Sequence, residues 1–156
     1  MKILFVCLGN ICRSAMAETM FKQMVQDAGL SDQISVDSAG TSDEEHGHPM
    51  HPGARRELKK HGMDGRGHHA RQINREDFAT ADLIVGMDDM NMQDLKMMAP
   101  ADSHAKIYAI FDLLPDLKGQ AIPDPWYTHR FGDTYESLAT ALPSWLDKCK
   151  EDLNNK

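Results

Sequence analysis

Cys7 and Arg13 frame the stretch Cys7-Leu8-Gly9-Asn10-Ile11-Cys12-Arg13-Ser14 near the amino end of a 156-residue chain. A thiol and a guanidinium at this spacing can share one small anion. In a loop between a strand and a helix, the backbone amides converge on an oxyanion and the helix N-terminus adds partial positive charge. Arg13 supplies a fork of donors that matches two phosphate oxygens. The same field favours the thiolate of Cys7 over the thiol. A nucleophile is thereby held under a tetrahedral oxyanion, as phosphoryl transfer to sulfur requires. Two residues at a fixed spacing are weak evidence by themselves, so the flanking elements decide.

Those elements fit. Lys2-Ile3-Leu4-Phe5-Val6 is apolar and β-rich and reads as a buried strand entering the loop. Behind the loop, Ala15, Ala17, Met20, Phe21, Met24, Val25 and Ala28 recur at helical spacing, from Ala15 to about Gly29 as the stop. Met16, Met20 and Met24 form a stripe that reads as packing rather than soft metal ligands. Gln33 to Ala39 alternates as a second strand and runs into Gly40-Thr41. Ser42 to Pro52 is a polar loop carrying His46, His48 and His51, with no cysteine nearby to complete a metal pattern. Pro52 opens a helix through about His61, and Gly62 ends it. After a loop over 65–70, Asn74 is the candidate N-cap of a short helix. Ala81 to Gly86 reads as a third strand, Asp88 to about Met98 as a helix, and Lys106 to Ile110 as a fourth strand. Leu113 to Pro123 has turn chemistry, and Asp133 to Leu153 forms a last helix with a kink expected at Pro143.

Strands alternating with helices predict one α/β domain over residues 1–156. Its four-stranded parallel sheet is covered on both faces. Such sheets bind ligands beyond the carboxyl ends of their strands. Cys7, Ser38 and Met87-Asp88 end the first three strands, and Asp124-Pro125-Trp126-Tyr127 follows the fourth, so all fall on one edge. A thiolate attacking a phosphate ester needs an acid to protonate the departing oxygen. Asp124, on a proline-stiffened loop beside aromatic walls, is the candidate, and as a carboxylate it would then activate water.

Composition narrows the classes. With 17 basic against 24 acidic residues the net charge is −7, which argues against nucleic acid or a membrane surface as partner. An acidic chain that binds an anion does so through a focused pocket. No run reaches transmembrane length, and the amino end lacks a signal-peptide h-region, which reads as a mature cytoplasmic protein. Cys7, Cys12 and Cys149 form no even disulfide framework. No metal or organic cofactor is expected.

With both motifs in place the chain resembles the low-molecular-weight protein tyrosine phosphatases over nearly its full length. The resemblance is carried by Val6 to Ser14, Asp37-Ser38-Ala39-Gly40-Thr41, Ala70-Arg71-Gln72 and Asp124-Pro125-Trp126-Tyr127. It implies a flavodoxin-like sheet in the order 2-1-3-4 and hydrolysis of phosphotyrosine and small aryl phosphates, with phosphoproteins as substrates and inorganic phosphate or other oxyanions as inhibitors. Cys7 would be the nucleophile, Arg13 the clamp and Asp124 the acid, then base. Leu8, Gly9, Asn10, Ile11, Cys12 and Ser14 would make the phosphate loop, with Ser14 donating to the thiolate. Asn10 would hold a left-handed conformation supported by Ser14, Ser38 and His68, and Asp88 would lie near. Trp126 and Tyr127 would wall the pocket opposite Glu44, which stands where relatives often carry an aromatic residue. Ala15 replaces the usual proline after Arg13-Ser14. By the same resemblance Cys12 is a disulfide partner for Cys7 under oxidation, alongside its reading as a small buried filler.

Alternatives of the same fold are distinguishable. Arsenate reductases relay electrons through further cysteines, and only Cys12 and Cys149 remain here. Protein-arginine phosphatases carry threonine where this chain has Ile11. A non-catalytic phosphate-binding module would need neither Cys7 nor Asp124. A Walker-type nucleotide site lacks its Gly-Lys-Ser/Thr.

Overall fold

The apolar run at the amino end forms β1 (Lys2–Cys7), and its alternation serves two cores at once. Ile3, Phe5 and Cys7 face one side, and Leu4 and Val6 face the other. A strand buried on both faces belongs inside a parallel sheet. A computed structural model describes residues 1–156, and in it β1 pairs with β2 (Ser35–Gly40) on one side and β3 (Leu83–Gly86) on the other. β4 (Lys106–Ala109) joins β3, all pairs are parallel, and the order is β2-β1-β3-β4. This is the order expected from the sequence.

The larger core lies between the sheet and three helices, α1 (Arg13–Asp27), α2 (Pro52–Lys60) and α6 (Phe131–Asn154). Met16, Phe21, Leu58, Leu138 and Trp145 fill it, and the Trp145 indole donates to Ile110 O at 2.9 Å. Met16 and Met20 of the methionine stripe are buried in it and Met24 packs against it. The smaller core, on the opposite face, brings Ile73, Phe78 and Leu95 under Leu4, Val6 and Ile84, covered by α3 (Arg75–Thr80) and α4 (Asp89–Met98).

Several boundaries differ from expectation, each for a local reason. α1 begins at Arg13 rather than Ala15, so Arg13 and Ser14 are the first helical residues. β2 begins at Ser35, two residues late, because Gln33 and Ile34 turn back to bond Leu30 O. The Asp-Pro segment read as a loop is a short helix, α5 (Pro125–Thr128), with Asp124 as its N-cap and Pro125 at its first position. α6 is one continuous helix through Pro143, the position of the expected kink. His51 is no free loop residue: it caps α2, its ring accepting from Gly53 N at 2.9 Å.

Candidate active site

The carboxyl end of β1 opens directly into the loop between Cys7 and α1. The strand pairing continues past the sheet, with Thr41 N donating to Cys7 O at 2.9 Å and Ser42 N to Leu8 O at 3.0 Å. That close approach explains Gly40, where a Cβ would lie 2.6 Å from Leu8 O. The loop is curled by Asn10, which has φ 61° in the left-handed region. Asparagine tolerates this conformation better than most residues, and here its side chain is fully used. Asn10 Nδ2 donates to Ser14 Oγ at 2.8 Å and to Ser38 Oγ at 3.0 Å, and Oδ1 accepts from Arg71 N at 3.1 Å. His68 Nε2 donates to Asn10 O at 2.6 Å.

The curl has a chemical result. None of the amides from Leu8 through Arg13 donates to a protein acceptor, whereas Ser14 N donates to Cys7 Sγ at 3.4 Å. Six consecutive free donors around one sulfur make an anion cradle. Cys7 Sγ is buried and lies 3.0 Å from Ser14 Oγ.

Arg13 is 2% exposed and held from two distant segments. Its Nη1 donates to Asp88 Oδ2 at 2.6 Å and to Ile122 O at 2.9 Å, and Nη2 lies 3.4 Å from Asp124 Oδ2. Nε is buried and has no partner, a donor left for an oxyanion. Burial alone would lower the pKa of Arg13, but Cys7 and the hydrogen-bonded Asp88 outweigh it and keep the guanidinium charged. Asp88, whose part was open from sequence, is also the N-cap of α4, accepting from Asn91 N at 2.8 Å. It thus fastens Arg13 to the end of β3.

Asp124 reaches the same place from the other end of the chain. Oδ1 accepts from Trp126 N at 3.0 Å, which leaves Oδ2 toward Arg13. A pocket of about 140 Å³ collects Cys7, Leu8, Gly9, Ile11, Cys12, Ser42, Glu44, Glu45, Asp124, Trp126 and Tyr127. Every expected wall residue is there. Burial, with Cys7 next, pushes the Cys12 thiol far above its usual range, so Cys12 stays protonated beside Cys7.

Sequence reading missed the outer supports. Glu18 Oε1 accepts from Ser38 Oγ at 2.5 Å, one helical turn beyond Ser14. Arg71 bonds Asp77 at 2.8 and 2.9 Å and Asp37 at 3.0 Å, which fixes the segment that supplies its amide to Asn10. His51 stacks on Phe131, with ring centroids 4.9 Å apart, and meets the edge of Trp126 at 5.7 Å. Only the helical offset of Glu18 was readable beforehand. No group of three or more His, Cys, Asp or Glu side chains is arranged to hold a metal.

An α/β sheet whose first strand ends in a thiol under free amides and a buried arginine defines a class of phosphate-handling protein. The model of the family described as low molecular weight phosphotyrosine protein phosphatase matches residues 2–155, and this chain belongs to that family. The low molecular weight phosphotyrosine protein phosphatase of Rattus norvegicus is 41% identical over 150 residues, covering 94% of each chain. The crystal structure of YfkJ from Bacillus subtilis superposes with a TM-score of 0.90 at 35% identity, covering 97% of this chain and 96% of that one. The crystal structure of a Drosophila arginine phosphatase gives 0.87 at 30% identity, covering 95% and 97%. The chain is a phosphatase of this kind, and no helix is long and apolar enough to cross a membrane.

Proposed function

We propose that the chain dephosphorylates phosphotyrosine in proteins through a cysteinyl-phosphate, with Cys7, Arg13 and Asp124 as the reacting and stabilising groups. The thiolate of Cys7 attacks phosphorus in line with the tyrosine oxygen. The S–P bond forms as the O–P bond breaks, and Asp124 gives its proton to the departing oxygen. Water then attacks the same phosphorus, Asp124 takes its proton, and the S–P bond breaks to release inorganic phosphate. Arg13 and the six free amides hold the equatorial oxygens and match the charge that spreads over them. Ser14, 3.0 Å from Cys7 Sγ, stabilises the thiolate as it leaves in the second step.

One observation carries this reading. Cys7 is followed by six amides that have no protein acceptor, with Ser14 N and Oγ at its sulfur and Asp124 Oδ2 3.4 Å from the guanidinium of Arg13. Inorganic phosphate and other tetrahedral oxyanions should occupy the same cradle as competitive inhibitors. Ile11 lines the pocket with an apolar side chain that offers no hydrogen bond to a guanidinium, which favours an aryl phosphate over phosphoarginine. A reducing, cytoplasmic setting belongs to the proposal, because all three cysteines are free and Cys7 must stay reduced to act.

The test is hydrolysis of p-nitrophenyl phosphate without added metal. Wild type should turn over, and Cys7→Ser should lose turnover while still binding phosphate or a phosphonate. Wild-type rates in Cys7→Ser would overturn the mechanism. Phosphoarginine peptides outcompeting phosphotyrosine peptides would overturn the substrate class.

A further inference from the structure

Beside the catalytic pocket a wider groove of about 570 Å³ runs along the outer side of α2. The two share Ile11, Glu45 and Trp126, so a polypeptide leaving one enters the other. The groove carries Arg55, Arg56 and Lys59, all exposed. None of the three has a carboxylate within 4.0 Å, whereas the acids of the groove are engaged, Glu45 by His48 at 2.6 Å and Asp64 by Arg66 at 3.5 Å.

Two of these cations do not serve the helix. Lys59 and Lys60 in the last turn of α2 complement its dipole, but Arg55 and Arg56 lie ahead of that turn, where a cation gains nothing from it. They also stand out in a chain of net charge −7. His51, at the head of the groove, feels this field: burial, then Arg56, then His129 lower its pKa. On the opposite rim of the pocket Glu44 is exposed and unpaired, so the mouth is acidic on one side and basic on the other.

We infer that the α2 groove docks acidic residues that flank the phosphotyrosine of a polypeptide substrate, with Arg55, Arg56 and Lys59 as the specificity-determining contacts. The inference rests on the phosphatase reading of the adjoining pocket. Arg55 lies one turn and Lys59 two turns along α2 from His51, about 6 and 12 Å by helical rise. An extended peptide covers that in about two to four residues. The preferred acids therefore sit about two to four residues beyond the point where the peptide passes His51 and Trp126, all on that side of phosphotyrosine.

Peptides of one length, with Glu or Gln at successive positions before or after phosphotyrosine, test this against p-nitrophenyl phosphate, which has no flanks. Wild type should prefer glutamate on one side by about three- to tenfold in kcat/KM, expressed in KM and shrinking with added salt. The variant Arg55→Glu/Arg56→Glu/Lys59→Glu should lose or reverse that preference with p-nitrophenyl phosphate kinetics unchanged. An equal preference in wild type and variant, or none in wild type, overturns the inference. So does a variant that loses only binding to anionic vesicles or oligonucleotides. If wild type fails on p-nitrophenyl phosphate, the phosphatase reading falls instead. Anisotropy binding of the same peptides carrying a phosphonate then decides the docking surface separately.

Discussion

Asn10 is the residue on which the cradle depends, because it answers two demands with one side chain. Its backbone holds φ 61°, and its amide satisfies Ser14, Ser38 and Arg71 N inside a site where it is itself fully buried. The two demands separate by substitution. Asn10→Gly keeps the left-handed backbone and loses the bonds, and Asn10→Ala loses both. Unsatisfied buried partners cost about 1–3 kcal/mol each, and strain adds about 1 kcal/mol for alanine. Thermal unfolding should rank wild type above Asn10→Gly above Asn10→Ala. The reverse order for the two variants would mean that strain is not held at this position. Asp124 makes a different contribution, since its side chain only caps α5 and lies 3.4 Å from Arg13, which Asp88 and Ile122 hold without it. Asp124→Ala should lower kcat by about 10²–10⁴ with an unactivated phenol as leaving group and by less with p-nitrophenol, with little change in melting temperature. Equal losses for both leaving groups would remove general acid catalysis from its role.

At the scale of elements, the site is a set of helix starts. α1 begins with Arg13, α4 is capped by Asp88 and α5 by Asp124, so three functional side chains stand where a chain direction changes. α2 belongs to this set through its cap. His51 closes the start of α2, stacks on Phe131 and meets the edge of Trp126, joining a helix to the pocket wall. His51→Ala should cost about 1 kcal/mol of stability and raise KM for phosphotyrosine peptides severalfold with kcat nearly unchanged. Urea titration and steady-state kinetics read the two effects, and a kcat loss alone would disconnect the cap from the wall. α3 contributes from farther away. Asp77 completes a capping box with Asn74 and accepts from Arg71, the residue whose amide bonds Asn10. Burial would raise the Asp77 carboxyl, but Arg71 and the Asn74 amide overcome it and hold it below the usual carboxylate range. A depressed folded pKa contributes stability above the unfolded value and loses it as pH falls through the folded one. Stability should therefore decline below about pH 4, and Asp77→Asn should be less stable at neutral pH with a flatter acid limb. An unaltered acid limb in Asp77→Asn would assign that decline to other carboxylates.

For the whole molecule, what could be read beforehand was whatever the chain encodes locally. The alternation of β1, the helical spacing behind it and the run of strand and helix signals led to a parallel sheet, and the family resemblance to its order 2-1-3-4. That order in turn gathers Cys7, Ser38, Asp88 and Asp124 on one edge. Family resemblance supplied the partners of Asn10. Glu18, Arg71 and His51 stayed hidden for a shared reason: their function is a contact made across the fold. Arg71 meets Asp37 across 34 positions, and no periodicity marks such a pair. The short α5 was hidden because Asp-Pro opens a turn and a helix alike. The groove on α2 was equally illegible, since a basic run reads as a solvated face until its neighbours are known to lack countercharges.

Arg13 is pinned by Ile122 O, 109 positions away, while the thiol it serves is held by Ser14 only 7 positions away. A refolding chain closes short loops before long ones. The sulfur and its curl, whose farthest support is Arg71 at 61 positions from Asn10, can thus form before residues 122 and 124 arrive to seat the guanidinium. Turnover should be the last property a refolding sample recovers, after far-UV ellipticity has returned. A single protease cut between Phe111 and Asp124 should abolish activity while leaving the sheet intact. Enzymatic rate then serves as a clock for the final closure of the chain.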